Sequence, residues 1–206
     1  MKRYTQKHVD ALSTIDGTKH CPFGSYVDCT FDNHCEFTVG CTFGSCKFGS
    51  YCEFGRGCKF DDRCAFGNYC EFGSYCQFGR GCFFSSSCIF SSVCQFGYLC
   101  KFGSHCAFGD SCKFNSGCSF EGHKARTDNP FISLDGAGSE NRKTYFFDFE
   151  GGIFVRSGYF FGTLQEFRQK VLQDDTTSDK RSVKTLVYLG FANLACAQFK
   201  QMENVE

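Results

Sequence analysis

The sequence of 206 residues lacks several features that mark common protein classes. It contains no tryptophan, two prolines and no Cys-x-x-Cys pair, although it holds 18 cysteines. Its formal net charge is zero, so composition gives no electrostatic case for binding nucleic acid. Residues 1–20 lack the apolar stretch of a signal peptide, and no apolar run is long enough for a membrane span. These absences predict an intracellular protein with no membrane and no nucleic-acid partner.

The chain is instead rich in a short internal repeat of cysteine and phenylalanine. Thirteen cysteines follow one another at intervals of six residues from Cys46 to Cys118, and a phenylalanine stands two residues after each. The register extends back to Cys21 with slips, since Cys21 and Cys29 are eight residues apart and Cys41 and Cys46 are five. A short repeat of fixed period is typical of solenoid architectures.

A six-residue period favours short strands over a helix. Residues two apart in a strand face the same side, so Cys and Phe point inward together and the residue between them points outward. Ten of the seventeen repeat phenylalanines are followed by glycine, and the others mostly by small or polar residues that suit turns. Glycine, asparagine and aspartate tolerate the positive φ that a tight corner needs. The pattern predicts a parallel β-helix with a core of cysteine and phenylalanine.

The hexads resemble those of the left-handed β-helix proteins of the hexapeptide family. In that family a large apolar residue is followed by glycine, and a small inward residue comes four positions later. Phenylalanine and cysteine take those two places here, whereas the family usually carries aliphatic residues at the large position. The resemblance implies a left-handed helix with three hexads, about 18 residues, in each coil, and hence about five to six coils over residues 21–120.

Four segments are predicted along the chain, and the fold class is mainly β. Residues 1–20 form an N-terminal cap or arm, partly helical at Gln6–Leu12, and residues 21–120 form the β-helix. Residues 121–143 lose the repeat and are interpreted as a linker or wrapping segment. Residues 144–206 form a small α+β unit with a β-hairpin and two helices.

The strands of the C-terminal unit are predicted from local signals. The β-rich runs Tyr145–Phe149 and Ile153–Arg156 flank Gly151–Gly152, which favours a hairpin. A third short strand is predicted at Tyr159–Phe161. The three runs together indicate a small antiparallel sheet.

Two helices are predicted to follow these strands. Thr163 and Glu166 have the spacing of a capping box that begins the first helix. The second helix is predicted from about Asp179 to Phe199, after a break at Thr176–Asp179, and contains Cys196, which lies outside the repeat. Its predicted buried stripe consists of Val183, Leu186, Val187, Leu194 and Ala197.

The segment Arg156–Phe167 resembles a closing motif of uncharacterised phage and prophage proteins. Those proteins join Cys-Phe-Gly hexads to an ending of the form G-x-F-x-G-T-L-x-E-F, which this chain matches from Gly158 to Phe167. The resemblance implies a phage origin and a place of action in the host cytoplasm. It implies no particular chemistry.

The repeat cysteines admit three interpretations. Packing is favoured, because a reduced thiol is small, apolar and well suited to contact aromatic rings. In the disulfide alternative Cys52, Cys70, Cys88 and Cys106 would stack in one column, but their parallel Cβ directions and a reducing cytosol disfavour the bond. Metal binding is least favoured, because metal sites use close clusters such as Cys-x-x-Cys. No metal and no cofactor are therefore predicted.

Histidines are the residues considered for a catalytic role. Many hexapeptide proteins are acyltransferases in which a histidine acts as general base between subunits, so the resemblance makes His34, His105 and His123 candidates. His105 stands in the outward position before a repeat cysteine. The members of its column in the preceding coils are Ser87, Tyr69 and Tyr51. Because other columns hold glycine, arginine or leucine at this position, we predict no catalytic residue, and the ligand-binding residues stay unassigned.

One stretch of the repeat departs from the polar outward pattern. Its five large outward residues form a candidate oligomer interface, either as a band that packs against another copy or as one that the C-terminal helices cover. These residues are Phe83, Ile89, Val93, Tyr98 and Leu99. A homo-oligomer is predicted, as a trimer from the hexapeptide resemblance or as a dimer by base rate.

Three functions remain open at this point. The favoured one is a non-catalytic phage accessory protein that binds a small nucleotide or a host protein, for example by sequestering a nucleotide immune signal. The alternatives are a structural component of the virion or tail and a hexapeptide-type acyltransferase. The phage-like motif favours the first two, and the β-helix itself favours the third.

Overall fold

The computed structural model describes residues 1–135, 143–175 and 182–203. The chain divides into two compact units, Met1–Lys124 and Ala125–Glu206. The first unit is a parallel β-helix of about seven turns, and the second is a small sheet with helices. The predicted mainly β class is confirmed, and its handedness stays a prediction.

Three sheets form the walls of the β-helix, and each turn contributes one strand to each wall. Face A consists of β1 (Arg3–Tyr4), β4 (Ser25–Val27), β7 (Thr42–Gly44), β10 (Lys59–Phe60), β13 (Gln77–Phe78), β16 (Gln95–Phe96) and β19 (Lys113–Phe114). Face B consists of β2 (Thr14–Ile15), β3 (Thr18–Cys21), β6 (Cys35–Phe37), β9 (Glu53–Phe54), β12 (Glu71–Phe72), β15 (Ile89–Phe90) and β18 (Ala107–Phe108). Face C consists of β5 (Thr30–Phe31), β8 (Lys47–Phe48), β11 (Ala65–Phe66), β14 (Phe83–Phe84), β17 (Lys101–Phe102), β20 (Ser119–Phe120) and β21 (His123–Lys124).

Antiparallel strands lie at two ends of these sheets, β2 against β3 on face B and β21 against β20 on face C. At the N-terminal side, β1 pairs with β4 and β3 pairs with β6, both in parallel. Helix α1 (Gln6–Asp10) lies between β1 and β2 in the chain. Residues that the sequence assigned to a cap therefore supply strands of the β-helix. This is why the structure has about seven turns rather than five to six.

Phenylalanine rings fill the centre of the β-helix in three stacked columns. Within a column, successive rings are nearly parallel, as for Phe54 and Phe72, whose centroids lie 4.9 Å apart at 3°. Between columns, the rings meet edge to face, as for Phe72 and Phe78 at 5.1 Å and 84°. Both arrangements are favourable for aromatic quadrupoles. The strand spacing of about 4.8 Å therefore sets a stacking distance that suits the rings.

The irregular first turn replaces one expected core residue. Phe23 is 54% exposed, although the repeat pattern predicted it to be inward. Tyr26 is fully buried in its place and stacks on Phe43 with centroids 5.4 Å apart. The eight-residue interval between Cys21 and Cys29 gives the chain two extra residues, and these shift the inward position.

The repeat cysteines pack inward and bond to the turn beneath. The thiol of Cys70 lies 3.3 Å from the carbonyl oxygen of Gly49, and that of Cys88 lies 3.4 Å from that of Gly67. A thiol is a weak donor, so this contact satisfies a carbonyl at each corner while the sulfur stays among the rings. None of the 18 cysteines, all within the described residues, forms a disulfide. The structure therefore agrees with the interpretation of the repeat cysteines as reduced packing residues rather than as a disulfide framework.

The glycines that follow the repeat phenylalanines are needed for close approach rather than for positive φ. A Cβ at Gly73 would lie 2.7 Å from the backbone nitrogen of Arg56 in the turn beneath, and one at Gly67 would lie 2.6 Å from the backbone of Gly49. Positive φ occurs instead at the residue before each cysteine from Cys29 to Cys118. The expectation that these glycines provide the positive φ was wrong, because the left-handed position comes later in each corner.

The second unit contains one antiparallel sheet and two helices. Its strands are β22 (Phe131–Leu134), β23 (Thr144–Phe149), β24 (Gly152–Ser157) and β25 (Phe160–Thr163), in that order. Its helices are α2 (Leu164–Gln173) and α3 (Val183–Glu203). The segment interpreted as a linker includes β21 and β22, while its residues 136–142, like the break predicted at Thr176–Asp179, lie outside the described residues.

The capping box of α2 forms as the spacing predicts. The backbone N–H of Glu166 donates to the Thr163 hydroxyl at 3.3 Å, and the Thr163 N–H donates to the Glu166 carboxylate at 2.8 Å. These hydrogen bonds from Thr163 hold the pKa of the exposed Glu166 carboxyl below its usual value. A carboxylate here also complements the positive end of the helix dipole.

The prediction of which stripe of α3 is buried was wrong. Val183 is 78% exposed and Leu186 is 55% exposed. The buried residues are Thr185, Tyr188, Ala192, Ala195 and Phe199. Phe146 on the sheet and Phe167 on α2 occupy the centre of this core, and small alanines on α3 leave room for their rings. Both stripes have helical spacing, so packing against these rings decides which one faces inward.

The inward thiols give the first prediction. Burial raises the pKa of the Cys46 thiol to about 12, and the hydrogen bond with Cys118 raises that of Cys100 to about 12, so both are uncharged at neutral pH. Sixteen of the 18 cysteines are buried, so a reagent cannot reach their sulfur atoms without local unfolding, whatever the charge of the thiol. Titration of native protein at pH 7 should modify only Cys112 and Cys196, the two half-buried cysteines, whereas denatured protein should react at all 18. Rapid modification of many more in the native state would contradict the packing.

A neighbouring pair of phenylalanines gives the second prediction. Phe84 is fully buried and Phe83 is 48% exposed, although they are adjacent in β14. Phe84→Ala should lower the free energy of unfolding by ~3–5 kcal/mol through lost transfer energy and a cavity. Phe83→Ala should lower it by less than about 1 kcal/mol. Urea denaturation measures both, and equal losses would show that the inward and outward assignment is incorrect.

Candidate functional site

The corners of the β-helix place a side chain at the same backbone position in every turn. At each corner the residue before the cysteine has a positive φ, and in twelve of the sixteen corners from Asp28 to Gly117 that residue is not glycine. A left-handed conformation costs an ordinary residue about 1–2 kcal/mol. Because the conformation recurs every turn, side chains in one corner column leave the backbone in the same direction.

One corner, between faces C and B, carries a column of aromatic side chains, which we call the aromatic corner. It consists of His34, Tyr51, Tyr69, Ser87 and His105, whose φ angles lie between +56° and +62°. The rings of His34 and Tyr51 stack at 5.0 Å and 7°, and those of Tyr51 and Tyr69 at 5.0 Å and 9°. Both tyrosines stay about half exposed, at 49% and 51%. The column is a ready surface for stacking.

Hydrogen bonds between turns fix the backbone of the aromatic corner. The backbone N–H of Ser50 donates to the Asn33 side-chain oxygen at 2.7 Å, and that of Asn68 donates to the Ser50 hydroxyl at 3.0 Å. The N–H of Ser86 donates to the Asn68 side-chain oxygen at 2.9 Å. Backbone bonds add to this ladder, since the N–H of Tyr69 donates to the Ser86 carbonyl at 3.1 Å. The aromatic rings therefore project from a rigid frame.

The two faces beside the aromatic corner carry opposite charges. Glu36, Glu53 and Glu71 lie in register on face B. His20 contacts the first of them, with its Nδ1 2.8 Å from the Glu36 carboxylate. Face C carries Lys47 and Lys101 in the outward column that also contains Phe83. A ligand at the corner thus has carboxylates on one side and ammonium groups on the other.

A second corner, between faces B and A, offers a useful comparison. Tyr75 has the same left-handed conformation, with φ of +64°, and is 49% exposed. Its ring is contacted by the Arg56 guanidinium, whose carbon lies 4.4 Å from the ring centroid. Tyr75 therefore resembles Tyr69 in conformation and exposure but lies under a cation rather than in an aromatic column.

The five residues of the candidate oligomer interface lie in one turn but not on one surface. Phe83 is on face C and Ile89 on face B, and each is 48% exposed. Val93 lies at the corner between faces B and A, while Tyr98 and Leu99 lie at the corner between faces A and C. A single flat partner cannot contact all five. Self-association through them stays a prediction, and so do the trimer and the dimer.

The candidate histidines have separate positions. His34 and His105 belong to the aromatic corner, and His123 lies in β21 at the end of face C. In the described residues, no hydrogen bond joins the side chains of His105 and Ser87, which are one turn apart in the column. The column order Tyr51, Tyr69, Ser87, His105 is the one that the 18-residue spacing predicted. Sequence reasoning assigned it no ligand, because stacking of the rings became evident only with the left-handed corner geometry.

The second unit contains one cavity among its described residues that is considered as a candidate site. A cavity of about 210 Å³ lies between α2, α3 and the sheet, lined among others by Phe160, Lys170, Asp174 and Tyr188. Cys196 is half-buried beside Arg168, whose guanidinium nitrogen lies 3.8 Å from the sulfur. Across residues 1–135, 143–175 and 182–203, no cluster of three or more potential metal ligands occurs. Over the same residues, no helix is both long and apolar enough to cross a membrane.

Comparison with known proteins gives no match, since no family model, no curated protein and no solved structure is significantly similar to this chain.

Proposed function

We propose that this chain is a non-catalytic binding protein, encoded by a phage and acting in the host cytoplasm, which binds a small nucleotide at the aromatic corner. The observation that carries the proposal is the exposed stack of His34, Tyr51 and Tyr69, with rings 5.0 Å apart. Stacking of a base on an aromatic side chain contributes about 1–3 kcal/mol and tolerates different bases. A nucleobase is therefore the ligand group that this surface fits best.

Rigidity of the corner supports binding without a deep pocket. The left-handed backbone and the ladder through Asn33, Ser50 and Asn68 fix the column before a ligand arrives. A preformed surface loses little conformational entropy on binding, so more of the stacking energy contributes to affinity. Stacked tyrosines also have two rotatable side-chain bonds each, which limits their own ordering cost.

Charge on the adjoining faces favours a nucleotide among the candidate partners and suggests its orientation. A phosphate would lie toward either Lys47 or Lys101 on face C, which are three turns apart in the same outward column. The exocyclic amino group of a base would lie toward Glu53 and Glu71 on face B, since carboxylates accept hydrogen bonds from such groups. Sequestration of a nucleotide immune signal of the host would follow from tight binding of this kind.

Calorimetric titration with a nucleotide panel tests the proposal. The panel includes nucleoside monophosphates, cyclic dinucleotides and cyclic trinucleotides, and at least one should bind to the wild-type protein. Tyr69→Ala should weaken that binding roughly tenfold or more, because one stacking surface is lost. The matched control is Tyr75→Ala, which removes an equally exposed tyrosine of the same conformation from another corner. It should leave affinity unchanged.

Two results would contradict the proposed function. One is the absence of binding to every nucleotide in the panel by protein with a normal melting temperature. The other is an equal loss of affinity in Tyr69→Ala and Tyr75→Ala, which would show that the tyrosines act through general stability rather than through the aromatic corner.

A further inference from the structure

The aromatic corner has one level without a ring, and we infer that this level is a slot that takes a single planar aromatic ring between Tyr69 and His105. Ser87 stands at that level. The inference rests on the proposed function and specifies where on the column the base lies. It assigns the base to the turn that contains Phe83, Ser87 and Ile89 rather than to the outer edges of the stacked tyrosines.

The height of the slot follows from the spacing of the turns. Tyr69 and His105 are two turns apart in one column, so their rings are separated by roughly 10 Å if each turn rises about 4.8 Å. One ring placed midway would stack on both at about the 5.0 Å that separates Tyr51 from Tyr69. The φ angles of Tyr69, Ser87 and His105 are +56°, +60° and +62°, so their side chains leave the backbone in nearly the same direction.

The two side chains that bound the slot, Tyr69 and His105, are both exposed and so are accessible to a ligand. Within the part of the chain that the structure describes, Tyr69 stacks on Tyr51 through one face, and no ring lies against its other face. His105, which lies two turns beyond Tyr69 in the same column, is exposed. The Ser87 hydroxyl lies between them at the base of the slot, where it can donate to or accept from a ring nitrogen.

Apolar residues flank the same level on both faces. Phe83 precedes Ser87 on face C and Ile89 follows it on face B, and each is 48% exposed. Elsewhere in these two columns the outward residues are mostly charged or small, as with Lys47, Glu53 and Glu71. Large apolar side chains thus border the aromatic corner at the one level where its ring is replaced by serine. They would shield the edges of an inserted base from water.

Filling the slot from within the protein tests the inference. Ser87→Tyr places a ring where the ligand ring would lie, in a backbone conformation that Tyr51 and Tyr69 already adopt. The variant should fold with a melting temperature equal to or above that of the wild type, because its column of rings becomes continuous. Its affinity for adenosine 5′-monophosphate should fall roughly tenfold or more. Ser111→Tyr, the same substitution at another left-handed corner, should bind as the wild type does.

A second pair of variants tests the upper wall. His105→Ala removes the ring above the slot and should weaken the binding of adenosine 5′-monophosphate roughly tenfold. His105→Phe retains a ring and should restore most of the affinity. Ribose 5-phosphate, which has the phosphate but no base, should bind far more weakly than adenosine 5′-monophosphate to the wild-type protein.

The outcomes separate this inference from the proposed function. If Ser87→Tyr binds adenosine 5′-monophosphate as the wild type does while Tyr69→Ala does not, the column binds the base outside the slot and the inference is wrong. If neither variant changes the affinity, both the inference and the proposed function fail. If ribose 5-phosphate binds as tightly as the nucleotide, recognition is of the phosphate alone, and the slot is again excluded.

Discussion

The match between the rise of a β-helix and the stacking distance of an aromatic ring governs this structure. Parallel strands lie about 4.8 Å apart, and the phenylalanine rings of successive turns stack at nearly that distance, as for Phe60 and Phe78 at 4.8 Å. Three such columns meet edge to face and fill the interior. Cysteine occupies the remaining inward position, where a small side chain packs among the rings and bonds to a corner carbonyl.

The same rise acts on the outside of the helix. Any residue type that recurs every 18 positions forms a column, so the outer surface becomes a set of ladders whose chemistry depends on the sequence. Glutamates align on face B, and tyrosines align at the aromatic corner. Replacement of a ring by Ser87 interrupts the aromatic ladder once, beside Phe83 and Ile89. The core periodicity thus defines both the ladder and its gap.

The repeat alone was enough to predict the parallel β-helix, the inward Cys and Phe, and the order of residues in the corner column. It failed where the register slips or where packing decides. Tyr26 is buried and Phe23 is exposed, contrary to the repeat pattern, because the first turn contains two extra residues. The strand at Arg3–Tyr4 and the first three residues of Thr18–Cys21 precede the first repeat cysteine, so the periodicity did not predict that they pair with the β-helix. On α3, helical spacing fitted two stripes, and contact with Phe146 and Phe167 selected the one without Leu186 and Leu194.

The inferred position of the nucleobase ring is the level of Ser87 in the aromatic corner. Nuclear Overhauser effects between bound adenosine 5′-monophosphate and the protein test it directly, because they report proton pairs within about 5 Å. This position predicts effects from the adenine protons to the rings of both Tyr69 and His105. Effects to Tyr51 or Tyr75 without any to His105 would contradict it.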